Sequence, residues 1–314
     1  MSDPMGNLTG DRMPDPAATR RSRVAINPLP WLLDQHTGFH FTRGALDTAL
    51  RALGPLGYRA VSVAPLEDAS TAEYLQLLAA RDFAPAPGYF GADFTANADT
   101  AAVIEAARQL AEFHVTLGLD TIFIAADLTD PRLAHPAVGF DADADRLDRI
   151  AAGLVLAAEI FSAAGVTAAL HPHVSSFIET EAEIRHVLDA TAGSTLAFGP
   201  DLGHLLWAGA DVASLVGDYA GRVAALHLKD ARLAGAASAR AAAADYADST
   251  TQHRVWTEPG RGDLDVTAVF AALGDSFDGW SIIEVDVPDL PTPEQSSAAA
   301  LDFVLAQPYF GGTR

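Results

Sequence analysis

Eight short apolar runs, each followed by a turn and a longer amphipathic segment, succeed one another along the chain. The runs cover residues 24–29, 60–64, 83–87, 121–125, 167–171, 196–199, 223–228 and 281–285, the third being the weakest. The segments after them cover 42–53, 71–81, 100–116, 145–164, 181–190, 211–219, 266–273 and 293–305. In the 100–116 segment Val103, Ala107, Leu110 and His114 recur at 4-3-4 spacing and share one helix face. Thr180 and Glu183 have capping-box spacing at the start of the fifth helix. Alternating βα units imply parallel strands, and eight of them suit a closed barrel. The expected fold class is therefore α/β, a single-domain (β/α)8 barrel. A doubly wound sheet would bring a Gly-rich phosphate-binding first turn, and here that turn reads PLPWLLD.

The regions outside this rhythm are few. Residues 1–22 are rich in Asp, Pro, Gly, Thr and Arg without apolar periodicity and read as a disordered tail, leaving residues 23–314 as the barrel domain. Arg20-Arg21 precede an apolar stretch, but Asn27, Pro28 and Pro30 interrupt it and no small-residue cleavage site follows, so export is not expected. The Ala-rich stretch within 231–256 reads as a helical excursion or a mobile lid between the seventh and eighth units.

Composition narrows the chemistry. The 20 Lys and Arg against 41 Asp and Glu give a net charge of −21, which repels nucleic-acid phosphates and anionic lipid. No apolar run reaches the roughly 18 residues of a membrane span. The absence of cysteine excludes disulfides, thiolate metal sites, iron–sulfur clusters and cysteine nucleophiles, and fits a cytoplasmic protein.

In a barrel, chemistry collects where strands end. The fifth run ends in His171-Pro172-His173 and the sixth is followed by Asp201-Leu202-Gly203-His204. The seventh ends in His227-Leu228-Lys229-Asp230 and the eighth in Glu284-Val285-Asp286. Nitrogen and carboxylate donors together suit Mn, Co, Zn, Fe or Mg as a divalent ion. Strand alternation lets His171 share a face with His173, and His227 with Lys229. Singly, each residue has an ordinary explanation: an Asp at a strand end caps a helix, a strand-end His completes a hydrogen bond, and Lys229-Asp230 forms a surface ion pair. Their recurrence in four consecutive units favours a metal site. His36, His40, His135, His186 and His253 lack that pattern and read as structural or surface residues, and His114 as a core residue. Glu179, just before the Thr180 helix start, either favours the helix dipole or contacts metal or substrate. Trp31, Phe90 and Trp207 are expected in βα loops, where they wall a sugar ring or simply pack.

The stretches LHPHVSSFIETEAEI, DLGHLLWAGAD, RVAALHLKD, EPGRGDLD and GWSIIEVD follow in that order over about 165–290. Together they resemble the xylose isomerase-like TIM-barrel superfamily, which holds sugar and sugar-phosphate isomerases and epimerases and endonuclease IV-like proteins. The resemblance implies a Glu, Asp, His, Glu set on one divalent ion at the ends of strands five to eight. Asp201, His227 and Glu284 match the last three, and His171 stands in the usual glutamate place of an L-E-P-H pattern. The HPH form, the following IET and the N-terminal PLPW resemble the inosose dehydratase branch, which dehydrates 2-keto-myo-inositol. Pro259 to Asp265 resemble the family loop before helix seven, preceded by Glu258.

The resemblance implies a metal-dependent isomerase or epimerase acting on a keto-sugar or keto-polyol through a metal-stabilised enediolate. Dehydration by an inosose dehydratase-like lyase, or cleavage of a 3-keto-glycoside, is the alternative. His171 replaces one of the two glutamates that carry two-face proton transfer in family isomerases, which suits elimination equally well. The expected metal ligands are His171, Asp201, His227 and Glu284. The expected catalytic groups are His173, His204, Lys229 and Glu284. The expected partner is a small sugar or cyclitol, with no nucleic acid and no membrane, and self-association into a homo-oligomer stays open. A nuclease of the endonuclease IV kind needs further metals and a basic groove, which the charge opposes. A metal-free binding barrel would lack bound metal altogether.

Overall fold

A computed structural model describes residues 16–34, 38–95 and 99–312. Eight parallel strand positions close into a ring. They are β1 (Val24–Ile26), β2 (Ala60–Ser62), β3 (Ala84–Ala86, continuing as Tyr89–Ala92), β4 (Thr121–Ala126), β5 (Thr167–Leu170), β6 (Ala197–Phe198), β7 (Ala225–Leu228) and β8 (Trp280–Ile283). β1 lies between β8 and β2, with Ile26 opposite Ile283 and Val61. β6 meets β7 through bridges at Phe198–Val223 and Asp201–His227 rather than a continuous ladder. Pro200 explains the short β6: without an N–H it cannot extend the ladder, although its carbonyl still accepts the His227 N–H at 2.9 Å.

The third strand runs further than its sequence suggests. Its first piece pairs with β2 and its second with β4, so the barrel closes across a break at Pro87-Gly88. A Cβ on Gly88 would stand 2.3 Å from the Val63 carbonyl oxygen, so only glycine fits there. The Gly88 N–H donates to His114 Nε2 at 3.1 Å, while His114 Nδ1 faces the Leu110 carbonyl at 2.9 Å. His114 thus pins the break from the third barrel helix (Thr100–Thr116). Burial holds its imidazole neutral, with a pKa of about 4.

Small residues fill the barrel interior. Ala25, Ala60, Ala86 and Ala225 pack there with Ile282 and Phe123. A second, larger core lies between strands and helices and includes Leu46, Leu50, Ile122, Leu154, Phe161 and Val304. The fifth barrel helix (Glu181–Ala190) opens on the expected capping box, with Glu183 Oε2 accepting the Thr180 N–H at 2.9 Å.

Two stretches differ from the sequence reading or refine it. Residues 16–22 of the expected tail form a helix, Pro16–Ser22, while residues 1–15 lie outside the described residues. The helix is tied to the other end of the chain. Arg20 sits 4.1 Å over the Tyr309 ring and pairs with Asp275 at 3.0 Å, and Arg21 donates to the Phe310 carbonyl at 2.6 Å. The 231–256 stretch is a helical excursion, Leu233–Ala241 and Tyr246–Thr251. A two-stranded antiparallel clasp, Asp230–Ala231 with Trp256–Thr257, fastens its ends.

Candidate metal centre and catalytic pocket

Asp201 caps the short helix Leu202–Trp207. Its Oδ1 accepts the N–H groups of Gly203 and His204, both at 3.0 Å. This fixes the carboxylate and turns Oδ2 inward, where it lies 3.8 Å from His171 Nε2, 3.7 Å from His227 Nδ1 and 3.2 Å from Lys229 Nζ. His171 Nδ1 lies 2.9 Å from the Gly199 carbonyl oxygen. A carbonyl can only accept, so the ring proton sits on Nδ1 and Nε2 presents its lone pair. Burial, then His227, keeps His171 neutral with a pKa of about 3.

Ligand atoms of His171, Asp201 and His227 lie within 4.8 Å of one another, all three residues being buried. Asp201 Oδ2 and both nitrogens of His227 are buried without a hydrogen-bond partner. Unpartnered buried polar atoms carry a desolvation cost that a bound cation removes. The donor set therefore fits a divalent ion. Without one, burial disfavours the charged His227 ring, but Glu284 and Asp201 outweigh burial and raise its pKa to about 9.

Glu284 stands beside this group. Its Oε2 lies 3.2 Å from His227 Nδ1 and accepts Asn27 Nδ2 at 2.6 Å. Its Oε1 lies 2.6 Å from Lys229 Nζ. Lys229 also faces Asp286 at 3.0 Å. Burial opposes its charge, but Asp201, Asp286 and Glu284 together hold it well above the ordinary lysine value. Burial raises Asp286 to about 7, the nearby Lys229 limiting the rise.

The two remaining expected groups form a stacked pair. The His173 and His204 rings have centroids 3.6 Å apart. Val174 holds both: its carbonyl faces His173 Nδ1 at 2.6 Å and its N–H donates to His204 Nδ1 at 3.2 Å. The other His204 nitrogen, Nε2, lies 3.2 Å from the Lys229 ammonium, which can only donate, so both ring nitrogens face donors and a neutral ring accepts from one of them at a time. Burial keeps both rings neutral, His173 at about 4 and His204 well below its ordinary value.

Several residues around the pocket carry no motif signal. Phe123 floors it, its ring centroid 4.3 Å from that of His227 and 5.1 Å from that of His171. A Cβ on Gly199 would approach Phe123 to 2.8 Å, and one on Gly203 would reach the Lys229 stem at 2.6 Å. Asn27 fixes Glu284. Tyr89 stands edge-on to His171 at 5.7 Å. Tyr246, from the 231–256 excursion, lies 6.3 Å from His173 and 5.2 Å from Trp207 by ring centroids.

Other sequence expectations change. Asp230 is no surface partner of Lys229. Strand alternation sends it the opposite way, where its buried carboxylate accepts the N–H groups of Gly260, Gly262 and Leu264 and so holds the PGRGDLD loop. Glu258 anchors the eighth βα loop through the N–H groups of Asp289 and Leu290. Glu179 is buried among the N–H groups of Ser175, Ala137, Val138 and Gly139 and pairs with Arg132 at 2.8 Å, away from any pocket role of its own. Phe90 lies in a strand, packed against Phe161, and Trp31 packs on the outer core. Trp207 is buried beside His204 and Trp256. His186 pairs with Asp148, His253 with Ser238, and His135 stacks on Phe140. His36 lies outside the described residues. Among the described residues no helix is long and apolar enough to cross a membrane.

Comparison with known proteins agrees with this architecture. Inosose dehydratase of Geobacillus kaustophilus (strain HTA426) is 26% identical over 272 residues, 84% of this chain and 87% of the relative. The solved structure of the IolI protein with a bound zinc atom superposes with a TM-score of 0.66 at 15% identity, over 90% of this chain and 96% of that one. L-ribulose 3-epimerase superposes with a TM-score of 0.63 at 18% identity, over 90% and 93%. At those identities the two structures show the shared fold. Residues 50–307 match the xylose isomerase-like TIM barrel family model, and the chain belongs to that family.

Proposed function

We propose that the protein is a divalent-metal-dependent lyase that removes water from a keto-polyol, either a cyclitol or a sugar. What supports this reading is the convergence of His171, Asp201 and His227 within 4.8 Å beside the buried Lys229 ammonium. A divalent ion held by these three residues and Glu284 would polarise a carbonyl and its neighbouring hydroxyl and make the adjacent C–H more acidic. His173 has its proton on Nδ1 and a lone pair on Nε2, so it can accept that carbon-bound proton. The C–H electron pair becomes the new C=C bond as the C–O bond at the β carbon breaks. Lys229 supplies the proton that the departing hydroxyl needs to leave as water. Glu284 orients Lys229, and Asn27 orients Glu284.

The similarity to inosose dehydratase supports elimination, and His171 in a glutamate position removes one of the two carboxylates that symmetric proton transfer uses. Isomerisation or epimerisation is the second reading. It is favoured by Glu284, an ionised carboxylate in the same pocket that can return a proton taken by His173. The test is turnover of metal-reconstituted protein in D2O with keto-inositols, ketohexoses and 3-keto-glucosides, followed by NMR. A dehydrated product supports the lyase. Epimer or isomer with solvent deuterium and no dehydrated product replaces it with the second reading. Neither exchange nor elimination with metal bound rejects proton abstraction beside a carbonyl.

A further inference from the structure

We propose that Glu179 is a positioning residue for His173, acting through the Val174–Ser175 peptide. The inference rests on reading His173 as the group that takes the carbon-bound proton. Glu179 is fully buried, as is its partner Arg132. Its Oε2 accepts the Ser175 N–H at 2.8 Å and the Ala137 N–H at 2.9 Å, and its Oε1 accepts the Gly139 N–H at 2.8 Å. One carboxylate thus latches the loop after β5 to the loop after β4. Ser175 is held at φ +76°, a left-handed conformation costly for any residue but glycine, and it persists only when its surroundings impose it.

That conformation orients the preceding peptide unit. That unit joins the Val174 carbonyl to the Ser175 N–H: Glu179 holds its N–H end, and its carbonyl end takes the His173 Nδ1 proton at 2.6 Å. One carboxylate therefore sets which nitrogen of His173 is bare. Without the latch, Ser175 relaxes to negative φ, the Val174–Ser175 peptide rotates, and His173 loses its fixed tautomer. Glu183 secures the latch from behind, with Oε1 on Arg132 at 2.7 Å and Oε2 accepting the Glu179 N–H at 3.1 Å.

Selective 15N labelling of histidine in the zinc-loaded protein reads the ring protons directly. Wild type is expected to show His173 protonated on Nδ1 as one tautomer. The opposite tautomer at His173 overturns the proposal. In E179Q the His173 ring is expected to average between tautomers, with kcat down at least about tenfold and KM within about threefold. Adding S175G, which adopts φ +76° without strain, should restore the single tautomer and much of kcat, a rescue that loss of general stability would not show. E179D keeps a charge on Arg132 but lacks the reach to Ser175. It serves where E179Q does not fold, with the same expected averaging. The wild-type His173 tautomer in a folded Glu179 variant sinks the proposal. The NMR result stands whether or not a keto-polyol turns over, so a wrong reaction assignment and a wrong latch are told apart.

Discussion

Asp201 and His227 are joined by a parallel backbone bridge, and His227 Nδ1 lies 3.7 Å from Asp201 Oδ2. The closure of the barrel between its sixth and seventh strands is therefore also what brings two candidate ligands together. The position of the candidate metal centre is set by main-chain pairing rather than by flexible loops.

Metal binding follows from that arrangement. Purified protein titrated with zinc or manganese should bind one divalent ion per chain. D201N and H227Q should each weaken binding by more than the roughly 10–100-fold typical of losing an outer-shell partner. Calorimetry with metal analysis checks this. Full stoichiometric binding by the D201N/H227Q double variant would remove these residues from the ligand set.

Lys229 balances two buried carboxylates, Asp201 and Glu284, and the half-buried Asp286, so K229M should act on both turnover and stability. Turnover should fall by about 10²–10⁴-fold, the span of acid–base contributions. Removing one partner of a buried ion pair costs about 3–5 kcal/mol, so the metal-free variant should unfold at markedly lower denaturant. Added divalent metal should restore part of that loss by pairing the freed carboxylates. Unchanged turnover would remove Lys229 from the proposed chemistry.

His114 gives the fold a defined pH dependence. Its pKa is depressed from 6.5 to about 4 in the folded chain, so the unfolded chain binds a proton first as pH falls. The corresponding stability is fully present above pH 6.5 and is lost as pH falls towards 4, by roughly 3 kcal/mol in all. H114Q should flatten this part of the urea-stability profile between those limits. An equally steep profile in H114Q would assign the dependence to other groups.

Gly203 makes room for the Lys229 stem, and G203A should displace that side chain. Overpacking of this kind costs about 1–3 kcal/mol, with a loss of turnover beyond what stability explains. G44A is the internal control, because a Cβ at Gly44 meets nothing within 4 Å. Paired melting curves and kcat values for the two variants decide it. Equal behaviour would mean that the pocket yields at Gly203 without cost.

The barrel and the strand-end residues were legible because both follow simple periods: alternating βα units for the fold, and a two-residue pleat for His171 with His173 and His227 with Lys229. What escaped is carried by the main chain or by distant packing. Val174 acts through its peptide groups, so its side chain gives no sign of the role. Phe123 reads as one more apolar residue in TIFIA until Gly199 is seen to make space for it. Asn27 meets Glu284 across 257 positions of sequence. Pro87-Gly88 reads as a strand end, yet the backbone crosses the break and pairs again. The helix at 16–22 is held by Arg20 and Arg21 against residues near the far terminus, a contact no local pattern encodes. Glu179 stood between two local readings and fits neither, because its partners come from the neighbouring βα loop.

The clasp of Asp230–Ala231 with Trp256–Thr257 also defines a unit of exchange. Chain leaves and re-enters the barrel at adjacent points, and between them the excursion delivers Tyr246 to the His173 side of the pocket. A replacement stretch joined at the same two ends would meet the barrel with its register already fixed. The pocket wall can in this way be redrawn as a cassette, by recombination or by design, while the ring of strands that carries the candidate ligands keeps its geometry.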